Sequence, residues 1–235
     1  MKVVGTMIEV SMLNKTYKRK KVLKDISFTA EKGQITCLIG VNGAGKTTIL
    51  KSIMGLTPIN SGQILVDGEK ITPKTFEKIT YIPDRLTMIP SYTIAQAFQF
   101  MKDFYIAWNE ERAYELLHFF KLDKNERISS LSKGNAMKVN MLLGLALDVD
   151  YLLMDEPFSG IDMFSREQIA DVFSSHLIEG RGVILTTHEI QEIEHLIDKA
   201  VLIGDGIVLK EMNVERVREF EGKSVVDVMR EVYAG

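Results

Sequence analysis

Apolar and polar positions divide the chain into three textures. Met7 to Leu13 alternates with period two and is rich in β-formers, and Val22 to Ala30 follows as a second strand, closed by Glu31-Lys32-Gly33. A continuous apolar run, Ile35 to Ile39, enters the glycine-rich stretch Gly40 to Gly45. Lys46 to Met54 then has helical composition and ends at Gly55. Gly62 to Val66 and Thr80 to Ile82 read as short strands around the turn Asp67-Gly68. From Thr93 to Leu147 the texture is helical only, with helices expected over Thr93 to Tyr105, Glu110 to Phe120 and Ala136 to Leu147. Strand runs then return at Tyr151 to Met154, Val183 to Thr187 and Ala200 to Ile203, separated by helical segments. That order predicts right-handed crossovers and a parallel sheet. Beyond Asp205-Gly206 come a short strand and two amphipathic helices, near Val214 to Phe220 and Ser224 to Val232. The pattern predicts a single α/β domain over 1–235, its core formed by 1–84 and 148–235 and a helical subdomain inserted at 85–147.

Composition narrows the partners. The 235 residues are 46% hydrophobic and 26% charged with a net charge of −3, which offers no polycationic surface for direct nucleic-acid binding. The dense basic run Lys18-Arg19-Lys20-Lys21 is expected to be a solvated turn between two strands. Cys37 is the only cysteine, so an internal disulfide is excluded, and its apolar neighbours predict a core position. The four histidines lack companion cysteines and HExxH spacing, so no structural zinc is expected; His118 and His176 have no visible partners. No apolar stretch of about 18 residues occurs and no signal peptide is evident. The expectation is a cytoplasmic protein that meets membranes only through a partner. Trp108 with Phe98, Phe100, Phe104 and Tyr105 is expected to form the core of the helical insert.

The sharpest chemical signal is Gly40-Val41-Asn42-Gly43-Ala44-Gly45-Lys46-Thr47, a GxxxxGK[ST] pattern between a predicted strand and a predicted helix. Such a loop curls its backbone N–H groups toward phosphate oxygens, and the following helix adds its dipole. Lys46 can reach the β- and γ-phosphates, and the Thr47 hydroxyl suits Mg²⁺. The second signal is the apolar strand Tyr151-Leu152-Leu153-Met154 ending in Asp155-Glu156. At the carboxyl edge of a parallel sheet, one carboxylate can hold Mg²⁺ and the other can orient water.

With these motifs in order, the chain resembles the ATP-binding subunits of ABC transporters over nearly its whole length, in the exporter-like branch with a separate permease. Leu131-Ser132-Lys133-Gly134-Asn135 is similar to the signature LSGGQ; Ser159-Gly160-Ile161-Asp162 resembles the D-loop, His188 the H-loop histidine, and Tyr17 the aromatic that stacks on adenine. The resemblance implies a P-loop ATPase core with a mainly parallel sheet, an N-terminal antiparallel β subdomain and an inserted all-helical subdomain. It implies ATP and Mg²⁺ as ligands, with nucleotide contacts from Tyr17, Gly40, Asn42, Gly43, Ala44, Gly45, Lys46, Thr47 and Thr48. Two subunits, identical or related, would sandwich ATP, with Ser132 and Gly134 contacting the γ-phosphate held by the partner and Asp162 communicating across the interface. Glu156 would polarise water, His188 would keep it in place, and Thr47 and Asp155 would hold the metal. An integral-membrane permease would dock the subunit on the inner face of the membrane.

The sequence departs from the family in two places. Asp84, after Tyr81-Ile82-Pro83, stands where most members carry glutamine; a carboxylate there can meet Mg²⁺ but cannot donate a hydrogen bond. Lys133 and Asn135 replace Gly and Gln in the signature. Two other functions use the same loop. A soluble ABC-type ATPase acting on ribosomes or DNA usually carries tandem units or a long coiled coil, and neither is present. A small-molecule kinase or GTPase would need no signature, D-loop or His188.

Overall fold

The computed structural model describes residues 6–188, 190, 191 and 193–234; the start of the N-terminal stretch searched for a targeting signal lies outside them. The alternating N-terminal run forms β1 (Met7–Tyr17), which pairs antiparallel with β2 (Lys20–Glu31). The basic run is exposed as expected, but only Lys18 and Arg19 form the turn, with Lys18 in the left-handed region (φ 53°), while Lys20 and Lys21 already pair in β2. β3 (Ile35–Ile39) leads into α1 (Lys46–Ile53). β4 (Ser61–Val66) and β5 (Glu69–Lys70) turn on Asp67-Gly68, both at positive φ (52° and 79°), which matches the right-handed twist of a two-residue hairpin. β4 adds antiparallel to β1, so the first sheet runs β2-β1-β4-β5.

The second sheet contains β6 (Ile79–Ile82), β7 (Tyr151–Asp155), β8 (Gly182–Thr187), β9 (Lys199–Gly204) and β10 (Ile207–Asn213) in the order β10-β9-β3-β8-β7-β6. All its pairs are parallel except β9 with β10, which turn on Asp205-Gly206. Consecutive residues of β7 and β8 are buried, because both faces of the sheet are covered. Alternation in β3 splits its side chains between two cores. Leu38 packs with Ile49, Leu50 and Ile53 of α1 and with the antiparallel sheet. Cys37 and Ile39 face the other core, which continues into the helical insert.

Between β6 and β7 lie α2 (Ile94–Phe104), α3 (Glu110–Phe119) and α4 (Lys133–Leu145). Thr93 starts α2 with a capping box to Gln96, and Asn109 caps α3 through Arg112 N–H. α4 begins three residues before the expected Ala136: Ser132 accepts the Asn135 N–H and starts the helix early despite the two glycine and asparagine positions that weaken the sequence signal. The expected aromatic core is only partly present. Phe98 and Trp108 pack at a tilt, ring centroids 5.4 Å apart, but Phe104 and Tyr105 are exposed, because α2 ends there and the chain turns outward. His176 does have a partner, Glu115 at 2.8 Å, which the sequence separation had hidden. The chain closes with α5 (Met163–Phe173), placed after β7, then α6 (Val214–Arg216), which widens into a π-turn, and α7 (Val225–Ala234). Among the described residues no helix is long and apolar enough to cross a membrane.

Candidate functional site

The carboxyl ends of β3, β7 and β8 converge because the three strands are parallel neighbours. After β3 the chain curls through the glycine-rich loop into α1. Gly45 precedes the helix at φ 109°, and a Cβ there would stand 2.6 Å from Leu23 Cδ2, so only glycine fits. No side chain caps α1, which leaves first-turn N–H groups available to an anion. The Lys46 side chain lies back along this loop, donating to Gly40 O at 2.6 Å and pairing with Glu156 Oε1 at 3.1 Å.

Asp155 ends β7 and is buried. The register of the sheet sets Thr186 of β8 beside it, and Tyr81 enters from β6 on the other flank. Asp155 Oδ1 accepts from Thr186 Oγ1 (2.7 Å) and Thr47 Oγ1 (3.0 Å), and Oδ2 accepts from Tyr81 OH (3.1 Å). Three donors on four lone-pair positions fix the carboxylate and leave one position for a further partner. Burial first, then the Asp155 charge and hydrogen bond, raise the Tyr81 phenol well above its usual range, so it stays a donor at neutral pH; Asp84 adds to the same field.

Glu156 follows in the left-handed region at φ 48°, a conformation costing a non-glycine residue roughly 1 kcal/mol. Its N–H donates to Thr186 Oγ1 at 2.9 Å, which holds the strained residue in place. The side chain is thereby turned from the sheet toward Lys46, and its Oε2 meets His188 Nδ1 at 2.8 Å. The buried Cys37 thiol beneath is pushed up by desolvation and then by Glu156, so it stays a protonated core group.

A cavity of about 620 Å³ opens over these groups, within the usual size of small-molecule sites. Of the residues expected from sequence, Tyr17, Asn42, Gly43, Gly45, Lys46, Thr47, Thr48, Asp84, Glu156 and His188 line it. Gly40, Ala44 and Asp155 lie behind its wall. Tyr17 is half exposed, with Lys15 Nζ 4.7 Å from its ring centroid. Asp84 is exposed and stands 3.7 Å from Arg85. Ser132, Gly134 and Asp162 form no part of this cavity. Gly134 packs so closely that a Cβ would strike Ser165 Oγ, and Asp162 caps α5 through Ser165 N–H (2.9 Å) and Oγ (2.7 Å), bonds that hold its pKa down. Sequence reasoning gave no site role to Tyr81, Thr186 or Arg85, and named Ser159 only as part of the D-loop resemblance; Thr186, two residues before His188 on a buried strand, was the one readable signal.

The ABC transporter family model matches residues 23–159, more than half of the chain. The ABC transporter ATP-binding protein YtrB of Bacillus subtilis is 30% identical over 216 residues, covering 91% of this chain and 74% of that protein. A solved ATP-binding subunit of an ABC transporter superposes with a TM-score of 0.87 at 27% identity, covering 97% of this chain and all of the other. The ATP-binding cassette MJ0796, solved as a dimer in a post-hydrolysis state with ADP and phosphate, shares the fold with a TM-score of 0.77 at 24% identity, over 88% of this chain and 98% of that one. A phosphate-binding loop, a strand ending in paired acids and a histidine on the second acid thus meet in one cavity within a matching fold, and the chain belongs to the ABC transporter family as an ATP-binding, ATP-hydrolysing subunit.

Proposed function

We propose that the cavity binds ATP with adenine against Tyr17 and the triphosphate within the loop from Gly40 to Thr48, and that Glu156 activates the attacking water. The observation that carries this is the chain His188–Glu156–Lys46, which ties the candidate base to the candidate phosphate ligand through two contacts, 2.8 Å and 3.1 Å. His188 holds the Glu156 carboxylate, and Lys46 pairs with the β- and γ-phosphates when nucleotide replaces Glu156 as its partner. First-turn N–H groups of α1 and the Lys46 charge stabilise the negative charge on the transferred phosphoryl group.

The donors fit a magnesium ion. The Thr47 hydroxyl and Asp155 carboxylate oxygens are hard ligands 3.0 Å apart, and Asp155 retains one acceptor position. An ion held by these two groups would take the rest of its shell from phosphate and water. Bound there, Mg²⁺ would neutralise phosphate charge. Asp84 is the further candidate near it, supported by its place on the cavity wall.

Ser132, Gly134 and Asp162 are read as contacts to a second ATPase subunit, identical or related, because they stand outside the chain's own cavity while the dimeric MJ0796 shares the fold. Transport runs through a separate integral-membrane permease, with this subunit peripheral on the inner face. Residues 85–147 form the unit that moves against the core formed by 1–84 and 148–235. The test is co-purification with the membrane protein followed by ATPase assay. Stimulation of hydrolysis by the partner and a transported compound is expected; a stable complex with ribosomes or DNA instead would overturn the transporter assignment.

A further inference from the structure

Lys15 stands where the pattern of β1 calls for an apolar side chain. It follows Ile8, Val10 and Leu13 on the inward face, lies opposite Leu23 of β2, and is only 7% exposed. A buried ammonium is costly unless its donors are met. Two groups meet this one: the Pro58 carbonyl oxygen accepts from Nζ, and the Tyr17 ring centroid lies 4.7 Å from Nζ. Tyr17 lines the cavity over the glycine-rich loop and Lys15 does not, so the cation approaches the ring from the protein side.

Pro58 lies just beyond α1, whose uncapped N-terminus opens on the same cavity. The end of β1 is fastened to this stretch at other points as well. Thr16 N–H donates to Asn60 Oδ1 (2.7 Å), Asn60 N–H donates to Asn14 O (2.9 Å), and the Tyr17 and Thr57 hydroxyls meet at 3.2 Å. The ring and the helix after the glycine-rich loop are thus braced together, and of these contacts only that of Lys15 acts on the π face. A cation on one face draws π density toward itself. The other face is left poorer in electrons, which lessens the repulsion that a stacked base meets. We propose that Lys15 is a positioning residue for the adenine base: it holds the Tyr17 ring ready before nucleotide arrives and polarises it toward an electron-rich purine. This rests on the cavity being the ATP site and Tyr17 its base platform.

The experiment is equilibrium binding of a non-hydrolysable ATP analogue and of inorganic tripolyphosphate, both with Mg²⁺, to the full-length subunit and its variants. Lys15→Met, close in length and suited to the apolar face, is expected to weaken the ATP analogue about three- to fivefold, the size of one cation–ring contact and one side chain no longer pre-ordered. Tripolyphosphate affinity should change less than about twofold, because it has no base to stack. Mere loss of a positive charge would weaken both polyanions alike. In a Tyr17→Ala background the same substitution should matter less than about 1.5-fold, because the ring it acts on is gone. Lys15→Gln, which keeps a donor for Pro58 O without the charge, should show the same base-dependent loss. Equal losses for the two ligands, a loss that persists without the Tyr17 ring, or unchanged binding of the ATP analogue would each overturn the proposal. So would loss of the cooperative melting transition in both Lys15 variants, which would assign Lys15 to folding. The underlying reading fails separately. Binding of the ATP analogue that is unaffected by Tyr17→Ala refutes the base platform itself. Binding weakened by Tyr17→Ala but intact in both Lys15 variants refutes Lys15 alone.

Discussion

Glu156→Gln should bind ATP more tightly than the parent protein while losing most of its hydrolysis. Glu156 holds Lys46 at 3.1 Å, with the lysine side chain 5% and the glutamate side chain 15% exposed. At that separation the gross attraction is about 5 kcal/mol at an effective dielectric constant of about 20. Desolvation of both partners and the hydrogen bond Lys46 keeps to Gly40 O reduce the net cost of exchanging partners to about 1–2 kcal/mol. Incoming triphosphate must supply that cost, and it must also tolerate the Glu156 charge. The amide removes both penalties, so ATP affinity should rise about tenfold. Loss of the base should lower turnover by about 10²–10⁴. Titration calorimetry with Mg-ATP under conditions of slow turnover reads the first effect, and phosphate release reads the second. If the variant binds ATP no more tightly than the parent, Lys46–Glu156 is not a contact that nucleotide must displace. If turnover stays within tenfold, Glu156 is not the base.

Lys46→Ala should weaken ATP by about a hundredfold, through loss of a charge-assisted phosphate contact in a dry site, read by the same titration. Tyr17→Ala should weaken adenine nucleotides about five- to tenfold, whereas Tyr17→Phe should stay within about twofold, since stacking needs the ring and the hydroxyl only meets Thr57 at 3.2 Å on the surface. Equal losses in those two variants would exclude stacking. Asp84→Ala should shift the Mg²⁺ concentration needed for half-maximal ATPase activity upward, measured with and without the membrane partner. An unchanged Mg²⁺ profile and unchanged partner stimulation would reduce Asp84 to a surface turn residue.

What the sequence shows plainly is what depends on neighbours along the chain. The glycine-rich loop, the Asp155-Glu156 pair and the strand before His188 are each continuous, and their chemistry follows from spacing. The three donors on Asp155 are different in kind. Tyr81, Thr47 and Thr186 come from separate parts of the chain and meet only through the strand order, which no local pattern specifies. The same holds for the left-handed Glu156, whose strain is supported by a hydroxyl thirty residues later. Exposure of Phe104 and Tyr105 was also hidden, because periodicity identifies an amphipathic helix but not where its last turn leaves the core. The early start of α4 turned on one hydroxyl, Ser132, acting as the cap.

The place of β3 in the middle of its sheet has a consequence for how the protein is made. Its two hydrogen-bonding neighbours are β8 and β9, the strands completed near Thr187 and Gly204. Lys46 is therefore synthesised roughly 160 residues before the strands that flank its loop are finished, an interval of about 8–30 s on a ribosome. During that time the loop's sequence is present but its support is not. Asp155 likewise waits for Thr186, and Glu156 for its anchoring hydroxyl. Nucleotide can stabilise only what it binds, so ATP acts on the last stage of folding and cannot guide the first. A chain arrested before β9 would carry every recognisable motif except the ability to use them.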